Sequence, residues 1–412
     1  MSTSAGVRAE ARRRPKDRKQ QISRASAEAF SELGYHAVSM EDIASRVGVT
    51  AASLYRHYAG KYELFRAAVL GLGEQLVACT DFVDEAPTSS PELWDRIIDE
   101  LIETTLRNRS SGGLYRWEGR YLQPEDQALL NAQIKLVNRR LQRPLEEIQP
   151  GIDSRERWTK SSAVLSVIGS ITDHRAKLPT TELRTLLARM ARDIRDCELP
   201  PKIVETTQLR NVPSSAAGDY EQILYSAMIL FNERGYRETG MDDIASATGL
   251  PLSSIYRFFS GKSAILATVY RRAADRVSGD LALILSTTAD PRDAVARLID
   301  AYIWRSFVEP ELAYVYYAER VNVPTEDRLA LNNIQRATVE AWVAQVVGAR
   351  PGTPAAHARF AVHAAFALVV DLGRLVHYRN TESSRLIVGH LLRVILLGED
   401  KPQPKRRRAA AK

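Results

Sequence analysis

The chain has 412 residues, 45% hydrophobic and 26% charged, with a formal net charge of +7. That length holds two to three domains, and that composition excludes disorder over most of it. Two cysteines, Cys79 and Cys197, exclude a disulfide framework and a structural zinc site, and a reducing cytoplasm is the expected compartment.

In chain order, the first element is a basic arm, residues 1–19. Arg8, Arg12, Arg13, Arg14, Lys16, Arg18 and Lys19 face only Glu10 and Asp17, which leaves +5. The arm contains no apolar stretch of the kind a secretory signal carries. The other end, residues 400–412, holds Lys401, Lys405, Arg406, Arg407, Arg408 and Lys412. The body between the two is mildly acidic. Basic arms suit a polyanion, nucleic acid first, with a solvated solubility tail as the plain alternative.

Residues 20–61 show apolar side chains at helical spacing: Ile22, Ala25, Ala29, Phe30 and Leu33, then Ile43, Ala44 and Val47. Gly34 stands where a helix C-cap belongs, and Thr50 is a candidate N-cap for a short helix after Gly48. Residues 62–197 read as further helices over 62–83, 91–109, 124–148, 157–177 and 181–196. No run alternates as a strand would, and no apolar run reaches the roughly 18 residues of a bilayer span. A linker follows at 198–218, with Pro200, Pro201, Pro213 and few apolar residues.

The chain then repeats itself. Residues 222–262 align with 21–61 at an offset of 201 without a gap, and 17 of the 41 positions are identical. Phe30/Phe231, Gly34/Gly235, Tyr55/Tyr256, Arg56/Arg257 and Lys61/Lys262 are among them. Tyr115/Tyr316, Glu118/Glu319 and Asp126/Asp327 keep the same offset, so the whole half is duplicated. Helices are expected at 219–234, 241–248, 253–259, 261–286, 291–308, 325–347, 354–378 and 382–398. The second helix-turn-helix domain spans 219–262, the second helical domain 263–399.

The string Phe30-x-x-x-Gly34-Tyr35, Asp42–Ala44, Gly48-Val49 and Ser53–Lys61 resembles the tetracycline-repressor (TetR) family of bacterial regulators, and it recurs 201 residues on. The resemblance implies an all-α fold: a tandem duplication of a helix-turn-helix DNA-binding domain plus a helical ligand-binding and dimerisation domain. It also implies a partner, a double-stranded DNA operator read in the major groove. Thr50 would meet phosphate at a helix start. Ala51, Ala52 and Ser53 are small enough to approach base edges. Tyr55, His57 and Lys61 would contact the DNA backbone, and Arg56 a base or a phosphate. In the second half Ser253, Ser254, Tyr256, Arg257 and Lys262 remain, but Pro251 replaces Thr50 and Phe258 replaces His57. Residues 218–262 hold six acidic and four basic groups, against a balance of zero over 20–61. The second reader is therefore expected to be weaker, or to bind no DNA at all. Arg12, Arg13 and Arg14 would reach an adjacent minor groove, and the tail, which carries no aromatic residue, would attract phosphate without sequence preference.

The resemblance also implies that the last two helices of each half, about 157–196 and 354–398, pair within one chain into a four-helix bundle, an intrachain pseudo-dimer able to dimerise further. Trp94, Tyr115 and Trp117 in the first half, and Tyr302, Trp304 and Tyr316 in the second, line either plain core or an apolar effector cavity. Glu118, Arg120, Glu319 and Arg320 would be its polar anchors. A small apolar effector is expected, a lipid or acyl thioester among the candidates. No cofactor or metal is expected, and no catalytic constellation is found: no phosphate loop, nucleophile elbow or His-Glu-x-x-His. His363 and His377, 14 apart on one presumed helix, are the one pair with a conceivable metal reading; satisfied or surface histidines are the favoured reading. The expected product is a cytoplasmic bacterial regulator, a ligand-responsive repressor, nucleoid-associated when DNA-bound and with no membrane contact; the alternative is a ligand-binding or protein-interaction scaffold with one or both helix-turn-helix units no longer reading DNA.

Overall fold

The structure, a computed structural model, describes residues 15–86, 91–201, 203 and 218–399. Arg12, Arg13 and Arg14, the tail from 400 and most of the linker lie outside the described residues. Among the described residues every regular element is helical. The first half runs through α1 (Pro15–Leu33), α2 (Met40–Val47), α3 (Ala51–Leu54), α4 (Lys61–Ala78), α5 (Phe82–Glu85), α6 (Pro91–Arg107), α7 (Leu114–Trp117), α8 (Pro124–Ile148), α9 (Ser154–Gly169) and α10 (Thr180–Asp196). The second half runs through α11 (Asp219–Arg234), α12 (Met241–Thr248), α13 (Leu252–Tyr256), α14 (Lys262–Thr287), α15 (Pro291–Val308), α16 (Pro310–Ala318), α17 (Thr325–Ala349), α18 (Ala355–Leu375) and α19 (Glu382–Leu397).

Three differences from the sequence expectation have local causes. Helix α9 starts three residues early because the Asp153 carboxylate accepts the Glu156 N–H at 2.7 Å and caps it. It also ends early, in a 3-10 turn over Ser170–Thr172. Helix α16 was not expected; its one signal is Pro310 at the first helical turn, where a missing N–H costs nothing. Helix α18 stops at Leu375 because His377 (φ 52°) and Tyr378 (φ 46°) turn left-handed. The Tyr378 ring folds back over Gly373, where an added Cβ would lie 2.2 Å from a ring carbon, and its hydroxyl donates to Val370 O at 3.1 Å.

The chain divides into two units. The first comprises residues up to Glu74 with Ser110–Asn131. Its core gathers Ile22, Phe30, Ile43, Leu54 and Phe65, all fully buried. Leu114 and Trp117 of α7 are buried in the same unit.

The second unit comprises Gln75–Arg109 and everything from Ala132. It holds two cores. One lies under α11–α14 and α16, around Phe231, Ile244, Ile255 and Tyr270. The larger core draws on α6, α9 and α10 from the first half and α15, α17, α18 and α19 from the second, with Trp94, Trp342, Phe307 and Phe360 buried. Within it α9 packs along α18, α10 packs on α9 and α19, and α18 packs on α19. Truncating any one of these large side chains costs about 3–5 kcal/mol. Polar contacts stitch the same seam. Ser166 Oγ donates to Asp371 Oδ2 at 2.6 Å, and His357 Nε2 meets Glu182 Oε1 at 2.5 Å.

Against the expectation that no segment could span a bilayer, α18 is long and apolar enough to do so, although 67% of its apolar window is buried inside the protein. It is the central helix of the larger core, which accounts for an apolar surface on most of its faces.

Candidate functional sites

Reader one is built from three capped turns. Ser39 N–H donates to Asp42 Oδ2 at 2.8 Å, and Asp42 N–H donates back to Ser39 Oγ at 3.1 Å, a reciprocal cap that starts α2. The Ser39 hydroxyl, which donates to Asp42 Oδ2 at 2.7 Å, and then the Ser39 N–H hold the Asp42 carboxyl below the usual carboxylate range. Gly48, at φ 68°, ends α2 in the left-handed region. Thr50 Oγ1 then accepts the Ser53 N–H at 3.3 Å and starts α3. Leu54 and Tyr58 point inward and are buried. Ala52, Tyr55, Arg56 and His57 are exposed, while Ala51 and Ser53 are half-buried. Tyr55 keeps 54% of its surface in solvent, far more than a packing tyrosine would.

Reader two repeats the backbone with weaker caps and a different face. Gly240 replaces Ser39 and offers only its N–H, to Asp243 Oδ2 at 2.7 Å. Pro251 stands at the start of α13 with no side-chain cap. Ser253, Tyr256, Arg257 and Phe258 are exposed, and Ser254 is half-buried. Where reader one has Lys19 over the Tyr58 ring, at 5.9 Å, reader two has Tyr220 stacked on Phe259 at 5.2 Å, with Phe258 at 6.0 Å. A positive rim has become an aromatic one.

The lysines that close each reader face inward. Lys61 Nζ donates to His36 O at 3.2 Å and sits 4.7 Å above the Tyr35 ring. Lys262 Nζ reaches the carbonyls of Tyr236 at 2.7 Å and Thr239 at 2.6 Å, and burial pushes its pKa down. Both bind the turn that follows the first helix of their reader. That turn has a second clamp. Glu118 Oε2 accepts the Tyr35 N–H at 2.7 Å, and Glu319 Oε1 accepts the Tyr236 N–H at 3.0 Å. Both carboxylates are buried. The sequence showed both residue pairs at the 201 offset, but not their roles as struts.

Two stretches of the chain, residues 22–68 and 223–269, match the profile of one family, described as bacterial regulatory proteins, tetR family. The chain carries two tetR-family domains. It is 39% identical over 88 residues to the HTH-type transcriptional activator FasR of Mycolicibacterium smegmatis, covering 21% of this chain and 39% of that protein. It is 30% identical over 91 residues to the HTH-type transcriptional repressor KstR2 of the same organism, covering 22% of this chain and 44% of that protein. The chain thus spans less than half the length of these curated relatives. A solved structure, the ketosteroid transcriptional regulator KstR2 of Mycobacterium tuberculosis, aligns at a TM-score of 0.40 and 19% identity, over 46% of this chain and 96% of that one.

Outside the tetR-type readers, the candidate effector residues separate. Trp94 is fully buried in the larger core, with its indole N–H unpartnered. Trp117, Glu118 and Arg120 belong to the unit of reader one, where Arg120 Nη2 donates to Tyr121 OH at 2.8 Å; Tyr115 is half-buried there. Trp304 is 49% exposed and lies beneath the Arg385 guanidinium, 5.2 Å from its ring. Arg320 is exposed and donates to Asp173 O at 3.3 Å. Tyr302 and Tyr316 do come together, on a cavity of about 90 Å³ that also touches Phe366. Ser306 and Thr338 line it too, and sequence reasoning missed them. Their only signal was a small hydroxyl on the inward face of an apolar helix.

His363 and His377 do not form a metal pair. Fourteen residues of helix rise about 21 Å. His377 lies beyond α18 in an exposed turn, and the His363 ring instead stacks on His174, with centroids 4.0 Å apart.

Proposed function

We propose that this chain is a sequence-specific, DNA-binding transcriptional regulator of bacteria, a ligand-responsive repressor in which one polypeptide supplies both members of a TetR-like pair. The observation that carries the DNA-binding reading is the surface of reader one. Tyr55, Arg56 and His57 stand exposed on a capped turn, over a core that fixes their direction. Arg56 has no ion-pair partner among the described residues, so its charge is available to phosphate or a base edge. The pairing reading is supported by α9, α10, α18 and α19, two helices from each half, which pack as one bundle.

FasR is named an activator and KstR2 a repressor, so relatives carry both signs. Repression is the simpler mechanism, because occupancy of a promoter is enough. In the proposed division the domains are the arm 1–19, reader one 20–61, helical domain 62–197, linker 198–218, reader two 219–262, helical domain 263–399 and tail 400–412. The effector would act by binding one arrangement of the helical domains better than another. Such a protein works in the cytoplasm, on the nucleoid, and has no catalytic step.

The test is footprinting of the full chain on the DNA upstream of its own gene, followed by competition with a scrambled duplex at two salt concentrations. A protected site that survives moderate salt is expected. Equal retention on both duplexes would overturn the regulator and leave an interaction protein.

A further inference from the structure

The two readers differ sharply at the start of their first helix. At the 201 offset Arg18, Lys19 and Gln20 become Asp219, Tyr220 and Glu221, so two positive charges give way to two negative ones. His57 becomes Phe258. The Tyr220 ring stacks on Phe259 and meets Phe258 edge-on, which fixes the direction of all three rings. Phe258 is nonetheless 43% exposed and Tyr220 36%. A single exposed ring would mean little, but rings grouped at one place mark a contact surface.

Beside this aromatic lip, a groove of about 490 Å³ runs from Tyr220 along α14, between Thr268 and Arg276. Eight residues of helix rise about 12 Å, the length of about four extended residues. The three arginines of the groove stand where the first half has Leu70, Gly71 and Gln75. All three are already neutralised: Arg271 pairs with Asp327, Arg272 with Glu221 and Arg276 with Glu309. Asp275, in the groove wall, and Asp219, beside Tyr220, are exposed and make no ion pair among the described residues. The charge left over at this corner is therefore negative. It repels phosphate and attracts a cation.

We propose that this face of reader two is a docking site for another protein, which it holds by an extended, arginine-bearing basic segment. A guanidinium of that segment lies on the Tyr220 and Phe258 rings, and its charge meets Asp219 and Asp275. Arginine suits the site better than lysine, because a planar, weakly hydrated cation stacks on aromatic faces. The chain makes one such contact with itself, the Arg272 guanidinium lying 5.8 Å from the Tyr220 ring. The inference goes beyond the regulator reading. With DNA on reader one, reader two would bring a second protein to the same promoter.

Fluorescence anisotropy of the full chain without DNA tests this, at about pH 8 and about 0.15 M salt. The probes are labelled decapeptides in which serine alternates with arginine, lysine or glutamate. The arginine peptide should bind at least about threefold tighter than the lysine peptide, and the glutamate peptide should not bind. Phe258→His, which restores the residue of reader one, and Tyr220→Ala change no charge at that pH. Each should weaken the arginine peptide about fivefold, a loss that reports the rings and not the field. Asp275→Asn should weaken it about threefold. Equal binding of the arginine and lysine peptides, unchanged affinity in Phe258→His, or no peptide binding at all would each overturn the proposal. Because no DNA is present, a chain that binds the arginine peptide but no operator refutes the regulator alone. An operator-binding chain that ignores the peptides refutes the docking site alone.

Discussion

At the scale of single residues, the two halves keep carboxylates and move their cationic partners. Asp126 accepts from Arg66 Nε and from the Tyr62 hydroxyl, both at 2.6 Å, whereas its counterpart Asp327 pairs with Arg271, further along the equivalent helix. The acid is held in place in each half by a base from a different turn. Function is expected to divide in the same way. Arg56→Ala should weaken operator binding and lower the salt slope by about one, and Arg257→Ala should do less, because residues 218–262 carry six acidic groups against four basic ones where 20–61 balance to zero. Salt-dependent binding titrations of both variants check this, and equal losses would contradict it. The buried clamp gives a stability prediction. Glu319→Ala removes the acceptor of the Tyr236 N–H and should cost about 1–3 kcal/mol, read as a lowered thermal midpoint of the full chain. The sequence displayed Glu118, Glu319, Lys61 and Lys262 by recurrence alone. Recurrence identifies a shared constraint and not its direction, so groups read as ligand or phosphate contacts are seen bonded to the backbone of the reader in their own half.

At the scale of elements, caps and periodicity made most helices legible. Helices α8 and α15 match their expected limits, because Pro124 and Pro291 mark their first turns and apolar spacing sustains them. What stayed hidden was decided by tertiary packing: the short helix α16, and the end of α18 where Tyr378 closes over Gly373. The His174–His363 stack was equally hidden, since its members come from different halves. Burial is the largest cause depressing both imidazoles, with Arg109 and Arg175 adding to it at His174 and Arg359 at His363, where Glu340 opposes. His363 is pushed down to about 4. With a folded pKa below the unfolded value of about 6.5, the unfolded chain binds protons first as pH falls. The stack's contribution is therefore complete above about pH 6.5 and is lost on the way down to about pH 4, by about 2 kcal/mol per histidine between pH 7 and 5. Thermal midpoints over that range should fall more steeply for the native chain than for His363→Phe. Parallel curves would show that the imidazoles are not the titrating groups.

At the scale of the whole molecule, the seam between α9, α10, α18 and α19 should satisfy the chain's need for a partner. Sedimentation at low concentration is expected to give a single species of 46.0 kDa. An obligate two-chain assembly with no detectable monomer would rule out the intrachain pair. The duplication was the most legible feature of the sequence, since it needs only an offset. The matching of the two seam surfaces was not, because side chains that meet across it are separated by about 200 residues and share no pattern.

The Ser166–Asp371 bond shows what such a seam does beyond holding two halves together. At the 201 offset, the reciprocal positions are Ala367 and Ser170, which cannot repeat it. Two identical subunits must satisfy every contact twice, and any mutation strikes both at once. Here each side of the seam answers to its own selection, free of that doubling. Under the proposed pairing the result would be an orthogonal pair: neither half would be fully complementary to itself, and neither would need to be complementary to other single-unit proteins of the same kind in the cell. The tether delivers them in equal number, at a local concentration that no competitor diluted in the cytoplasm can match. On that proposal, an asymmetric operator, which a symmetric dimer would read poorly on one side, is the kind of sequence the chain would be fitted to recognise.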